Sequence, residues 1–175
     1  ILAYGMETSF FRFFHNEEHR EKVTATSSIS ILGSTAAFLI LAFLLRDEIA
    51  AATNIGSYYL NYVIFILALD ALVVIPFGWL RAREKPGVYS AIKIGNVAVN
   101  LGLNVFFIIF LPRLAENGEF FESIYTPDFE IAYIFIANLI ASALTLLVML
   151  PFYLKLKYTF DTDLWKQMIG YGTPI

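Results

Sequence analysis

The stretch from Tyr58 to Leu111 reads YYLNYVIFILALDALVVIPFGWL, then RAREKPG, then VYSAIKIGNVAVNLGLNVFFIIFL. Its two apolar parts, Tyr58–Leu80 and Val88–Leu111, are each long enough to cross a hydrocarbon layer of about 30 Å at about 1.5 Å per helical residue. Within them the only formal charges are Asp70 and Lys93. A soluble helical hairpin would carry charged residues along one face of each helix. The stretch therefore predicts a transmembrane helical hairpin.

Composition places the whole chain in the same class. Of its 175 residues, 58% are hydrophobic and 15% are charged, whereas soluble domains average about 45–50% apolar and about 25% charged residues. The mean hydropathy is +0.67. The chain has no cysteine and two histidines, so disulfides and thiolate metal sites are excluded and we expect no metal site. No phosphate-binding loop, hydrolase motif or basic nucleic-acid surface is visible, so we expect neither an enzyme nor a nucleic-acid partner.

The apolar segments predict an all-α polytopic transmembrane bundle. A partial span is predicted at residues 1–14, and complete spans at 28–45, 58–80, 88–111 and 131–154. Charged or polar connections separate them at residues 15–22, 46–57, 81–87 and 112–129. Residues 158–175 are predicted to form a linker, with Asp161 to Leu164 capping a short interfacial helix that contains Trp165. Because the first residues already resemble the interior of a helix, we expect a fragment of a longer protein.

Lys and Arg residues are distributed very unevenly between the two sides of this topology. The side that contains residues 15–22, 81–87 and 155–166 carries ten of the twelve, and the other side carries Arg46 and Arg113. Positive residues accumulate on the cytoplasmic side of membrane proteins. The sequence therefore predicts that these three segments are cytoplasmic.

Polar residues inside the spans are the candidates for function. Asp70 lies near mid-span, where a carboxylate is costly and normally faces a cavity or a partner. It either lines a central cavity, for coupling to a proton or sodium ion or for a polar substrate, or is a structural residue that is protonated or hydrogen-bonded to a neighbouring helix. Asn96, Asn100 and Asn104 recur every four residues on one helical face, and they either line a hydrated path or join helices together. Lys93 continues this face, where it binds a phosphate or extends to the lipid headgroups.

Weaker candidates lie elsewhere in the chain. Asn138, Ser142 and Thr145 repeat the polar pattern in the last span, where packing is the better interpretation. Glu7 and Arg12 lie near the end of the partial first helix, and their spacing of five residues is poor for an ion pair within one helix. We therefore expect these two side chains to have separate partners.

Several motifs resemble bacterial polysaccharide flippases of the multidrug/oligosaccharidyl-lipid/polysaccharide exporter superfamily, which has a MATE-like fold. Residues 4–13, YGMETSFFRF, resemble a segment that ends the second helix of that family. Residues 80–86 (LRAREKP), 92–96 (IKIGN) and 100–104 (NLGLN) resemble its junction between helices four and five. Residues 165–168 (WKQM) and 171–174 (YGTP) resemble its entry into a second six-helix repeat.

This resemblance implies that residues 1–157 are a partial N-terminal lobe, from the end of helix 2 to helix 6, and that helix 7 follows. It implies translocation of undecaprenyl-pyrophosphate-linked oligosaccharide across the bacterial inner membrane for O-antigen, capsule or exopolysaccharide synthesis. Alternating access would require a second lobe. Glu7, Arg12, Lys93 and the three asparagines would contact the substrate, and the polysaccharide polymerase machinery would be a further partner.

Three rivals remain open at this stage. A cation-coupled multidrug exporter of the same fold would favour acidic and aromatic residues in its cavity, and the face from Lys93 to Asn104 argues against it. A membrane-embedded enzyme would need a cluster of carboxylates or histidines near one interface, and none is visible. A purely structural subunit would have no use for a carboxylate as costly as Asp70 at mid-span.

Overall fold

The computed structural model describes residues 3–15, 20–53, 56–116, 118–127 and 129–172. Within these ranges all regular secondary structure is helical, and four helices are long and apolar enough to cross a membrane. They are Arg20–Leu44, Tyr58–Ala82, Pro86–Ala115 and Glu130–Leu154. The prediction of an all-α polytopic bundle is therefore confirmed.

The four spans are accompanied by shorter helices. In chain order the described α-helices are α1 (Met6–Phe14), α2 (Arg20–Leu44), α3 (Arg46–Thr53), α4 (Ser57–Leu72), α5 (Val74–Ala82), α6 (Pro86–Val105), α7 (Leu111–Ala115), α8 (Glu119–Ile124), α9 (Glu130–Leu154) and α10 (Thr162–Gly172). A π-helical turn, Phe106–Phe110, joins α6 to α7. The predicted connections at 46–57 and 112–129 therefore contain the helices α3, α7 and α8.

The first complete span begins at Arg20, whereas the sequence predicts its start at Ser28. Part of the predicted charged connection is thus helical, and its residues 16–19 lie outside the described residues. Hydroxyl groups explain why this polar start is stable as a helix, because they bond to carbonyls of their own helix. Thr24 donates to the Arg20 oxygen at 2.7 Å and Ser27 to the Val23 oxygen at 2.7 Å.

Proline residues interrupt two of the spans. Pro76 has no backbone N–H and cannot donate to the carbonyl of Leu72 four residues earlier, and the span breaks at Val73 into α4 and α5. The hydroxyl of Tyr153 on α9 donates to the Leu72 oxygen instead. Pro112 likewise follows the π-helical turn, in which the Leu111 N–H bonds to the oxygen of Phe106. Both irregularities therefore have a local chemical cause.

Helix α9 lies against the two helical segments of the central hairpin. It packs against α4 and α6, while α2 packs against α4. A second group is formed by α1, which packs against α2, α5 and α10. Its core consists of seven buried apolar side chains from these four helices: Met6, Phe10, Phe14, Val23, Ile31, Ile75 and Met168.

Helix α10, in the segment predicted as a linker, is part of this second group. Its predicted cap is present, since Asp161 Oδ1 accepts a hydrogen bond from the Leu164 N–H at 3.1 Å. Trp165 Nε1 donates to Ser30 Oγ at 2.7 Å, so Ser30 has a partner outside its own helix. Gly5 has a positive φ of 72°, and a Cβ atom there would collide with the carbonyl of Gly172. The contact between α1 and α10 therefore requires glycine.

The described residues of the three segments predicted to be cytoplasmic lie at one end of the bundle, where Arg20, Arg83 and Lys155 line a common cavity. Lys157 Nζ is 3.1 Å from Glu21 Oε2, which joins the chain after α9 to the start of α2. Lys22 Nζ is 4.0 Å from Asp161 Oδ2. This end, which carries most of the Lys and Arg residues, is called the basic end below.

The Tyr153 hydroxyl provides a test of the packing between α4 and α9. We expect Tyr153→Phe to lower the free energy of unfolding by about 1 kcal/mol, because the Leu72 carbonyl loses its donor. Pro76→Ala restores a backbone N–H to the helix, so Tyr153→Phe should cost much less in that background. A double-mutant cycle measured by denaturant unfolding in detergent gives the coupling.

Tyr125→Phe is the matched control, because the hydroxyl of Tyr125 bonds to no described residue. It should leave the free energy of unfolding within about 0.5 kcal/mol of the starting protein. An equal cost of Tyr153→Phe with and without Pro76 would contradict the proposed exchange of donors.

Candidate functional site

A polar cavity of about 410 Å³ lies between the hairpin, α1 and α9. Four of its lining residues carry formal charge and most of the others carry hydroxyl or amide groups. They are Glu7, Asp70, Val73, Val74, Phe77, Arg81, Tyr89, Lys93, Asn96, Asn138, Ser142 and Thr145. The cavity collects in one place polar residues that the sequence distributes over more than half of the chain.

Asp70 and Lys93 are the two charged residues within the predicted spans 58–80 and 88–111, and both line this cavity. Asp70 Oδ1 accepts a hydrogen bond from Ser142 Oγ at 2.8 Å. Lys93 Nζ lies 4.4 Å from the centre of the Phe77 ring, a cation–π contact. Neither side chain forms an ion pair with any described residue, and both are solvent-exposed within the chain. The cavity thus offers one carboxylate and one ammonium group to a ligand or to water.

At the basic end the cavity is lined by an ion pair between Glu7 and Arg81, which joins α1 to α5. The Arg81 guanidinium also lies 4.8 Å from the Phe11 ring centre and 5.4 Å from that of Tyr89. Arg12 does not line the cavity, and its guanidinium lies 4.2 Å from the Tyr171 ring centre. Glu7 and Arg12 therefore have separate partners, as their spacing predicts.

The three asparagines of α6 form a hydrogen-bonded seam with α9, called the amide seam below. Asn96 Nδ2 donates to Thr145 Oγ1 at 2.9 Å. Asn100 Nδ2 donates to Asn138 Oδ1 at 3.1 Å. Asn104 Nδ2 donates to Asn100 Oδ1 at 2.7 Å within α6, and so supports the side chain that bonds to α9. The seam therefore joins the helices, and Asn96 and Asn138 also line the cavity.

The cavity extends along α6 from the basic end into the bundle. At about 1.5 Å per residue, Lys93 lies about 10 Å along the helix from Pro86, and Asn104 about 27 Å. Asn96 still lines the cavity, whereas Asn100 and Asn104 do not. The deeper part of the asparagine stripe is thus a helix contact, and its part nearer the basic end faces the cavity.

Five lining residues are not among the site candidates that the sequence predicts, namely Val73, Val74, Phe77, Arg81 and Tyr89. Phe77 and Arg81 are four residues apart, and so are Tyr89 and Lys93, so each pair shares a helical face. In the sequence, Arg81 is the first residue of the charged turn, and this position alone does not indicate a cavity. The periodicity that identified the asparagine stripe extends back to Tyr89 and would have included that residue.

Comparisons with models of known protein families, with curated proteins and with solved structures found no significant match. The link to the flippase family therefore rests on the resemblance of short motifs alone. Among the residues that the structure describes, no group of three or more His, Cys, Asp and Glu side chains could hold a metal ion. The chemical groups that the site offers are its charged side chains, amides, hydroxyls and aromatic rings.

A double-mutant cycle tests the amide seam. We expect Asn100→Leu and Asn138→Leu to show a coupling of about 0.6–1.7 kcal/mol in the free energy of unfolding, the range found for hydrogen bonds between membrane helices. The control cycle pairs Asn138→Leu with Asn96→Leu, because Asn96 bonds to Thr145 instead. This control should be additive within about 0.5 kcal/mol. Additivity in both cycles would mean that the seam contributes nothing to helix association.

Proposed function

We propose that this chain forms a substrate-binding lobe of a transporter that moves lipid-linked oligosaccharides across the bacterial inner membrane. The observation that carries the proposal is the polar cavity, in which Lys93 and Arg81 accompany amide, hydroxyl and aromatic side chains. The motif resemblance points to the same function. The charged turn and its neighbours supply the cytoplasmic side of the protein in this proposal.

A lipid-linked oligosaccharide carries a pyrophosphate and a polar glycan on an apolar tail. Lys93, which forms no ion pair with any described residue, supplies positive charge for the pyrophosphate. Arg81 adds a guanidinium group that also pairs with Glu7. Asn96 and Asn138 supply amide donors and acceptors for sugar hydroxyls, and Tyr89 supplies an aromatic face. A cavity with this lining therefore suits the polar part of the substrate.

The apolar tail of the substrate would remain in the lipid beside α6. The outer face of this helix is apolar and exposed over its length, at Ile94, Val97, Leu101 and Val105. The tail would then not have to cross the polar cavity. By analogy with two-lobed transporters, rocking against a second lobe would expose the cavity alternately to each side.

A cation-coupled multidrug exporter is the second candidate, and Asp70 is the observation that favours it. The carboxylate is exposed to the cavity and accepts one hydrogen bond, from Ser142. An intramembrane carboxylate in this setting is suited to binding a proton or a sodium ion. Phe77 and Tyr89, whose ring centres are 5.3 Å apart, would contact an aromatic drug.

Translocation by the full-length protein in liposomes tests the first candidate. A fluorescent lipid-linked oligosaccharide is added, and protection of the label from an external quencher is followed. We expect Lys93→Gln to reduce the initial rate at least about tenfold, because a charge-assisted hydrogen bond to the phosphate is lost. Lys85→Gln in the exposed turn removes the same charge and should stay within about twofold. Equal rates for the two variants would contradict a phosphate-binding role of Lys93.

The same liposomes distinguish the two candidates. If Asp70 couples transport to an ion, Asp70→Asn should abolish dependence on a proton or sodium gradient while substrate binding remains. Translocation of oligosaccharide supports the flippase whether or not it requires a gradient. Gradient-driven uptake of a cationic drug without oligosaccharide translocation would establish the exporter instead.

A further inference from the structure

A second cavity, of about 400 Å³, lies outside the polar cavity at the basic end of the bundle. It is called the interfacial pocket below. The start of α2, the end of α5, the start of α6 and the end of α9 surround it. Its lining includes the cations Arg20, Arg83, Lys155 and Lys157, together with Glu21 and Trp79.

Four cationic side chains surround this pocket, and Glu21 is the acidic residue among its lining residues. Glu21 forms an ion pair with Lys157 at 3.1 Å. Lys155 pairs with no described acidic residue. Arg83 and Lys155 therefore bring positive charge to the pocket that no described acidic residue neutralises.

Aromatic rings hold two of these cations in place. The Arg83 guanidinium lies 5.0 Å from the centre of the Trp79 ring. The Arg20 guanidinium lies 5.5 Å from the Phe14 ring centre, and its Nε–H donates to the Phe14 carbonyl at 3.3 Å. Because these contacts fix the side chains beforehand, a ligand that binds there loses less conformational entropy.

The wall of the pocket on the membrane side is apolar. Val88 is 48% exposed and Val148 is 58% exposed, and both belong to predicted membrane spans. Ile92 and Phe152 extend the apolar surface between them. A soluble anion would leave this surface uncovered, whereas the acyl chain of a lipid would cover it.

We propose that the interfacial pocket binds the headgroup phosphate of an anionic phospholipid from the leaflet at the basic end. Arg83 and Lys155 contact the phosphate, and the acyl chain packs against Val88 and Val148. Basic pockets between membrane helices at this depth suit anionic headgroups. The proposal is independent of what the polar cavity transports.

Native mass spectrometry of the full-length protein in a neutral detergent tests this proposal. The probes are phosphatidylglycerol and phosphatidylcholine with identical acyl chains. We expect the protein to retain phosphatidylglycerol at least about tenfold more strongly. The double variant Arg83→Gln/Lys155→Gln should lose this preference, because each cation near a membrane surface contributes to the attraction.

The matched control is Lys85→Gln/Lys166→Gln. It removes the same charge from the basic end and leaves the lining of the pocket intact, so the preference should remain. Val148→Trp keeps every cation and fills the apolar part of the pocket, so it should lower retention of phosphatidylglycerol at least about threefold. Circular dichroism and gel filtration confirm that each variant is folded.

Three outcomes would overturn the proposal. If both charge variants lost the preference for phosphatidylglycerol equally, the lipid would be attracted by the overall positive charge of the basic end and not by the pocket. If Val148→Trp retained phosphatidylglycerol as strongly as the starting protein, the acyl chain would not pack in the apolar part of the pocket. Complete displacement of phosphatidylglycerol by inorganic phosphate at an equal concentration would show that the pocket binds the phosphate ion and not the lipid.

Discussion

One face of α9 supplies the partners for the polar groups of the helices around it. Asn138, Ser142, Thr145 and Tyr153 lie three, four or eight residues apart, so they form one stripe along the helix. They bond to Asn100, Asp70, Asn96 and the Leu72 carbonyl respectively. Polar groups in hydrocarbon must be satisfied within the protein or by water. The positions of α4 and α6 around α9 follow from this requirement.

The same stripe determines where the cavity lies. Between Asn138 and Thr145 the side chains of α9 line the polar space as well as bonding across it. Pro76 contributes to this arrangement, because the break that it causes at Val73 lies directly after the segment that carries Asp70. Proline-broken helices are frequent around binding sites in transporters. The carboxylate of Asp70 therefore lies close to the helix break at Val73. Hydrogen bonds from α9 stabilise both the carboxylate and the break.

The spans were predictable from the sequence because length and hydropathy determine them almost alone. The start of α2 was not, since Thr24 and Ser27 lower the hydropathy there although they are buried against other helices. The shared face of Asn96, Asn100 and Asn104 followed from helical periodicity. The partners of these asparagines on α9 could not be predicted in the same way. Which residues pair between two helices depends on the relative rotation and axial position of the helices. For that reason the sequence assigned Ser142 to packing, whereas it bonds to Asp70 at the cavity.

The most direct measurement asks whether the polar cavity contains water. Because the chain has no cysteine, single cysteines can be introduced and reacted with a charged, membrane-impermeant thiol reagent. Asn96→Cys faces the cavity, and Ile94→Cys lies on the exposed apolar side of the same helix. Only a hydrated thiol ionises to the reactive thiolate. The account predicts that Asn96→Cys reacts at least about tenfold faster than Ile94→Cys, and equal rates would contradict it.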